Sequence, residues 1–357
     1  MIGAPSERLR NATKGIVGPV LVLGVFLVVY AIIQPAFLST MQITTLFNGS
    51  TVIALAAVGE AIVVIAGGFD LSVGSSLSVI NVLLAVHMGQ STGSQALWIV
   101  LALAVGVGIG LLNGVLVAIL RIPSIVATLA TSFFWGGVAL LVLKQPGGSV
   151  SMTFSNWFTG SHAGVPNALL LLLVVTLMWL AVKRTRLGIS IYALGGDEEA
   201  AVANGVRLKP SLIGAYCLAG LFYGLAGLFL TAETSSGDPN AGGPLLLTVF
   251  TAVVLGGVSL SGGRGDAAAA ILGAFILTII TDVLYAMGIS SFYTSIFTGA
   301  VLILALVANV WGGQGARWLR GFTGILGGRA QDDDGTGGLG GPRDLPAGGS
   351  PPAVGVR

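Results

Sequence analysis

Between Ile16 and Trp311 the chain is built of long apolar runs that charge rarely interrupts, and this leaves few folds open. Ten runs can be drawn, at about 16–33, 50–66, 72–88, 96–119, 124–143, 166–182, 211–232, 245–260, 267–287 and 293–311. Only 8% of the residues are charged and 54% are hydrophobic, against about 25% charged in an ordinary soluble domain. The chain therefore reads as an integral membrane protein. Crossing the hydrocarbon core takes about 20 apolar residues, and in lipid every backbone polar group needs a partner within the protein. A β-barrel would show alternating segments of about ten residues; these runs are continuous. The expected class is all-α, with about ten transmembrane helices, some short or broken. Runs 50–66 and 72–88 are separated only by a glycine-rich break.

The first run follows Arg8, Arg10 and Lys14 and is longer than the core of a cleavable signal, so it reads as a retained first helix. Lysine and arginine then set the orientation. With the N-terminus in the cytoplasm, ten helices place fifteen of the sixteen basic residues inside and only Lys144 outside. Both termini are then cytoplasmic. Residues 1–15 form an N-terminal segment, 16–311 the membrane domain and 312–357 a Gly/Pro-rich tail. Within that tail 325–357 is too poor in apolar residues to fold. The net charge of +2 gives no reason to expect nucleic acid as a partner.

Several chemistries are not expected. The single cysteine, Cys217, forms no intrachain disulfide. His87 and His162 lack metal-ligand spacing. The chain has no G-x-x-x-x-G-K-[ST] phosphate loop, so ATP hydrolysis is not expected on it. A nucleophile–base motif is missing too, and no catalytic residue is assigned.

Four features remain as candidates. The first is Gly67-Gly68-Phe69-Asp70-Leu71-Ser72-Val73-Gly74-Ser75. Its glycines end one helix, and Asp70 can cap the next. Gly74 and Ser75 permit close helix approach. It is either a capped turn or a broken-helix element beside a translocation path, with Gly68, Asp70, Ser72, Gly74 and Ser75 as path candidates. Second, Glu60 and Asp282 fall inside predicted spans, where ionisable groups are costly and usually face a cavity or a partner. With Asp70 they would serve an ion-coupled secondary transporter, the alternative reading.

The third is the polar stretch 183–209, which holds five of the sixteen basic residues. Gly195-Gly196 breaks what precedes it. Asp197 is an N-cap, and Glu198 and Glu199 suit the positive helix end. Ala200 and Ala201 propagate the helix, and Asn204-Gly205 supplies a left-handed stop. So short a helix is unstable alone in water, and a cytosolic partner is expected to dock on it. The fourth is 256–266, with Gly256, Gly257 and Ser259 as further path candidates. Its approach echoes the first feature, Val64 aligning with Val253 and Gly67-Gly68 with Gly256-Gly257. Transporters are often built from such repeated halves.

These stretches together resemble the permease subunits of bacterial sugar ABC importers of the ribose/xylose/arabinose/galactose type. Gly67–Ser75 is similar to that family's GG-[IF]-DLSVGS signature. The loop matches at Thr185, Gly188, Tyr192, Ala193, Gly195, Ala200, Ala201, Gly205 and Val206. Val253–Gly263 resembles A-V-V-L-G-G-x-S-L-x-G-G, and Ile122–Leu129 resembles [IVL]-P-x-[FI]-[IV]-[AV]-T-L. Asp197 stands where the family usually has Asn, and 247–252 departs from L-x-A-I-A-A. The resemblance implies a multi-pass protein of the bacterial cytoplasmic (inner) membrane, in contact with lipid. It implies a second permease copy or paralogue, two ATP-binding subunits on the 197–205 helix and an extracytoplasmic sugar-binding protein. ATP and Mg would sit on the partner ATPase, and this chain would bind no cofactor.

Overall fold

The computed structural model describes residues 5–34, 36–290, 293, 296–305 and 307, with side chains from residue 18 onward. The tail 312–357 lies outside the described residues. The elements are α1 (Pro5–Ile33), α2 (Thr40–Ile65), α3 (Val73–His87), α4 (Thr92–Ala118), α5 (Ser124–Val142), α6 (Met152–Thr159), β1 (Ser161–His162), β2 (Val165–Pro166), α7 (Asn167–Lys183), α8 (Arg186–Gly196), α9 (Glu198–Ala203), α10 (Leu208–Thr234), α11 (Leu245–Leu255) and α12 (Ala269–Ala286), followed by α13 (Ile296–Ala305).

Each of the ten apolar runs carries a helix. Among the described residues, α2, α4, α5, α10 and α12 are each long and apolar enough to cross a membrane. The pair α7–α8 adds a sixth if taken as one span bent by 76°. The boundaries moved where capping overrode hydropathy. α2 starts well before residue 50 because the Ser39 hydroxyl accepts the Gln42 N–H at 3.2 Å. α11 stops at Leu255, short of the expected 260, because a glycine turn follows.

Four elements were not read from hydropathy. α6 is amphipathic, with Phe154 buried and Met152 and Trp157 exposed. β1 and β2 form a two-residue-loop hairpin, His162 opposite Val165. Ala163 and Gly164 both have positive φ, 51° and 81°, the twist such a loop requires. α8 follows Thr185, whose hydroxyl accepts the Gly188 N–H.

α2 lies at the centre. From Ala54 to Ile65 it is buried on every side, among α7, α10, α11 and α12, as expected of a helix that is apolar all round but for Glu60. The tightest crossing joins α4 to α10. A Cβ on Gly110 would stand 2.1 Å from the Tyr216 carbonyl oxygen, and one on Gly220 2.1 Å from that of Gly106. Only glycine lets the two backbones touch, which is how helices gain packing energy where lipid removes the hydrophobic drive.

The two ends of the bundle differ. At one, Ala66, Gly67, Arg121, Glu198 and Leu208 surround a cavity of about 370 Å³. Lys183 and Asp266 form a 2.6 Å ion pair at the same end, beside Arg184, Arg186, Arg207, Lys209 and Arg264. At the other end Gly147 and Gly237 exchange two 2.9 Å backbone bonds, and Lys144 is the nearby basic residue.

Candidate functional site

The α2–α3 break is set by backbone geometry first. α2 ends in a Schellman turn: Gly67 N–H reaches the Val64 carbonyl at 2.9 Å and Gly68 N–H reaches that of Val63 at 3.0 Å, with φ of 89° at Gly67. α11 ends the same way, through Gly257 to Val254 at 2.9 Å and Val258 to Val253 at 3.3 Å, with φ of 80° at Gly257. The echo in the sequence is thus also an echo in backbone, but shifted by one residue. Gly67 corresponds to Gly257, not to Gly256. Gly256 serves packing instead: a Cβ there would lie 2.6 Å from the Ala269 carbonyl oxygen of α12.

After Gly68 the chain enters a buried polar network. Phe69 N–H donates to Ser124 Oγ at 3.2 Å, and Leu71 N–H to Thr128 Oγ1 at 3.0 Å. Asp70 N–H donates to Glu60 Oε1 at 3.1 Å, and the Tyr223 hydroxyl donates to Glu60 Oε2 at 2.9 Å. The Asp70 carboxylate accepts the Ser72 N–H at 2.9 Å, the Ser72 hydroxyl at 2.5 Å and the Asn113 amide at 3.2 Å. The Thr131 hydroxyl donates to Asn113 Oδ1 at 2.7 Å. Glu60, Asp70, Ser72 and Asn113 are fully or almost fully buried. Among the described residues the ion pair is Lys183–Asp266, so neutral donors meet both buried carboxylates.

The expectation that Asp70 caps α3 is corrected in one respect. Ser72 occupies the cap position and makes no side-chain cap bond. Asp70 accepts the N–H of Ser72, ahead of the helix. The physical reason is tertiary: α4, α5 and Glu60 supply partners to residues 69–72 that local spacing does not show. Gly74 lies on α3 against the loop before α11, where a Cβ would stand 2.5 Å from the Gly242 oxygen. Ser75 donates to its own turn, at the Ser72 carbonyl.

Glu60 and Asp70 meet; Asp282 stands apart. It lies one turn beyond Ile279, which packs with Tyr30 and Leu46 in a separate cluster where α1, α2 and α12 adjoin. The three acidic residues do not form one route.

The polar loop folds as two helices. Asp197 Oδ1 accepts the Ala200 N–H at 2.9 Å at the start of α9. Glu198, Glu199 and Ala200 are exposed, and Ala201 is buried. Gly205, with φ of 88°, closes α9: its N–H donates to the Val202 carbonyl at 2.9 Å and the Val206 N–H to that of Ala201 at 3.0 Å, and Asn204 Nδ2 donates to the Ala200 carbonyl at 2.7 Å. Gly195 and Gly196 end α8, the break expected there from the sequence. Gly195 is wedged against the end of α2: a Cβ there would lie 1.8 Å from the Ile65 oxygen and 2.7 Å from Gly263 N.

The structure therefore joins two sets of candidates that were separate in the sequence. Gly67 meets Gly195 and Gly262 where α2, α8 and the 256–266 turn converge, while Gly68 faces Tyr216 and Ser124. Ser259 stays local, its N–H on the Arg264 carbonyl and its Oγ accepting from Ser261. Sequence reasoning missed Asn113, Thr131 and Tyr223, and it did not pair Lys183 with Asp266, although both stood at the edges of stretches it singled out. Asn113 and Thr131 were visible as polar residues inside apolar runs, a signal that intramembrane polarity provides.

Residues 42–306 match the family described as branched-chain amino acid transport system / permease component. The chain is 33% identical over 316 residues to the ribose import permease protein RbsC of Bacillus subtilis, covering 85% of this chain and 98% of that protein. It is 34% identical over 293 residues to RbsC of Escherichia coli K12, covering 80% and 90%. To the fructose import permease protein FrcC of Rhizobium meliloti it is 31% identical over 311 residues, covering 82% and 84%. No solved structure matches. The chain belongs to the branched-chain amino acid transport system / permease component family.

Proposed function

We propose that this chain is the membrane permease subunit of an ATP-binding-cassette importer for a monosaccharide, a pentose or hexose delivered by an extracytoplasmic binding protein. The observation that carries this reading is the α8–α9 loop. α9 has six residues, too few to be stable alone in water. Its acidic first turn is exposed, while Gly195 just before it is keyed backbone-to-backbone into the end of α2. That suits a surface pushed from outside the membrane and linked to the central helix within it.

In this reading the chain crosses the cytoplasmic (inner) membrane ten times, with both termini in the cytoplasm. The gathering of basic residues at the α8–α9 end supports that orientation. Two ATP-binding subunits dock on α9 and carry ATP and Mg. A second permease, identical or paralogous, completes the path. Gly68, Asp70, Ser72, Gly74, Ser75, Gly256, Gly257 and Ser259 are its candidate lining. The names of the relatives support the substrate class. The separation of Asp282 from Glu60 and Asp70 weighs against an ion-coupled route through all three.

The test is purification of the tagged chain from its host in mild detergent. An ATP-binding subunit is expected to co-purify and to be lost when Glu198→Arg is combined with Glu199→Arg. A chain that purifies alone, in a detergent shown to preserve a known ABC complex, overturns the reading.

A further inference from the structure

The turn between α11 and α12 touches more of the molecule than its length suggests. Gly263 N–H donates to the Ile65 carbonyl at the end of α2, at 2.9 Å. Gly262 and Gly263 lie on the end of α8. A Cβ on the first would stand 2.6 Å from the Gly195 oxygen, and one on the second 2.5 Å from Gly196 Cα. The Tyr192 hydroxyl of α8 donates to the Gly265 carbonyl at 2.9 Å. Asp266 then closes the turn. Its Oδ2 is 2.6 Å from Lys183 Nζ, and its Oδ1 accepts the Trp179 indole N–H at 2.7 Å and the Ala268 N–H at 3.1 Å. Trp179 is fully buried on α7, and Lys183 Nζ lies 5.6 Å from the centre of the Tyr192 ring.

We propose that this turn is the relay through which displacement of the α8–α9 loop reaches α2 and α12, and that Asp266 is the positioning residue that holds it in register. The inference rests on the reading of α9 as the ATPase-docking helix. A push on α9 arrives at Gly195-Gly196 directly, since Asp197 both ends α8 and starts α9. There the contact is backbone on backbone, with no side chain to absorb the movement, and close-packed interiors transmit strain. From the turn, one bond leads to Ile65 of α2, and the Asp266–Ala268 bond leads to the first turn of α12. Lys183 and Trp179 tie the same carboxylate to α7 through short, charge-assisted bonds. Hydrogen-bond chains of this kind carry coupling between distant sites.

The test uses the complete complex with its ATP-binding subunits in proteoliposomes, with loaded binding protein outside, and measures labelled sugar taken up per ATP hydrolysed. Asp266→Asn removes the charge facing Lys183 and keeps an acceptor for Trp179. It is expected to leave hydrolysis near the parent rate and to lower sugar per ATP about fivefold or more, the scale of ordinary inter-site coupling. Tyr192→Phe removes one hydroxyl and no charge, and is expected to move the ratio the same way by about twofold; it carries the test if Asp266→Asn does not assemble. A ratio unchanged in the variant that assembles overturns the relay. If Glu198→Arg with Glu199→Arg abolishes uptake while that ratio stays unchanged, the relay alone fails. If the double reversal leaves uptake intact, the docking reading fails and takes the relay with it.

Discussion

α2 and α11 end in the same backbone turn, yet the first leads into Asp70, buried among side chains of α4 and α5, and the second into Ser261, Arg264 and Gly265, all exposed beside α7 and α8. The local stop is identical in type; the surroundings decide its use. In the first turn the donors and acceptors point inward and fix α3 to its neighbours. In the second they are shared between the Ile65 carbonyl of α2, Trp179 of α7 and the Lys183 and Tyr192 side chains of the polar loop. A glycine signal therefore locates where a helix ends but does not say whether the turn is an interior joint or an outward surface.

The comparison can be broken most severely at the place where both turns meet. Gly195→Val puts side-chain atoms where a Cβ already stands 1.8 Å from the Ile65 oxygen. Overpacking costs about 1–3 kcal/mol even where side chains can yield, and here the neighbour is backbone. Loss of the assembled complex on size exclusion, with uptake at background, is the expected result.

Next comes Asn113→Leu, which removes the amide that serves Asp70 and Ser72. Depriving buried acceptors of a donor costs about 1–3 kcal/mol. Thermal unfolding in detergent should show a clear drop, whereas Ser261→Ala in the exposed turn should stay within about 0.5 kcal/mol. Equal effects would erase the distinction between the two turns.

A smaller and matched pair is Gly67→Ala and Gly257→Ala. Both residues have positive φ, 89° and 80°, and a side chain there costs roughly 1–2 kcal/mol. Similar losses of stability are expected, and a difference well beyond that range would show that the turns are not equivalent. The smallest effect is expected from Asp197→Ala. It removes the α9 cap bond, worth about 1 kcal/mol, and should lower recovery of the ATP-binding subunit without changing the melting of the membrane domain.

Much of this architecture was legible in the residues. The apolar runs located the helices, and Asp197, Asn204 and Gly205 marked α9, because caps are local signals. The boundaries that shifted did so at Ser39 and Gly256, where capping and turn chemistry outweighed hydropathy. The network around Asp70 was not legible. Its partners Glu60, Asn113, Ser124, Thr128 and Tyr223 come from four helices, and no spacing within one helix brings them together. The same holds for Asp266, whose partners Trp179 and Lys183 lie more than eighty residues away.

The most direct measurement is uptake of a panel of labelled pentoses and hexoses into proteoliposomes that hold the chain with its ATP-binding subunits, with the binding protein outside. The account predicts accumulation that requires internal ATP and persists when proton and sodium gradients are collapsed. Accumulation that follows an ion gradient without ATP would contradict it.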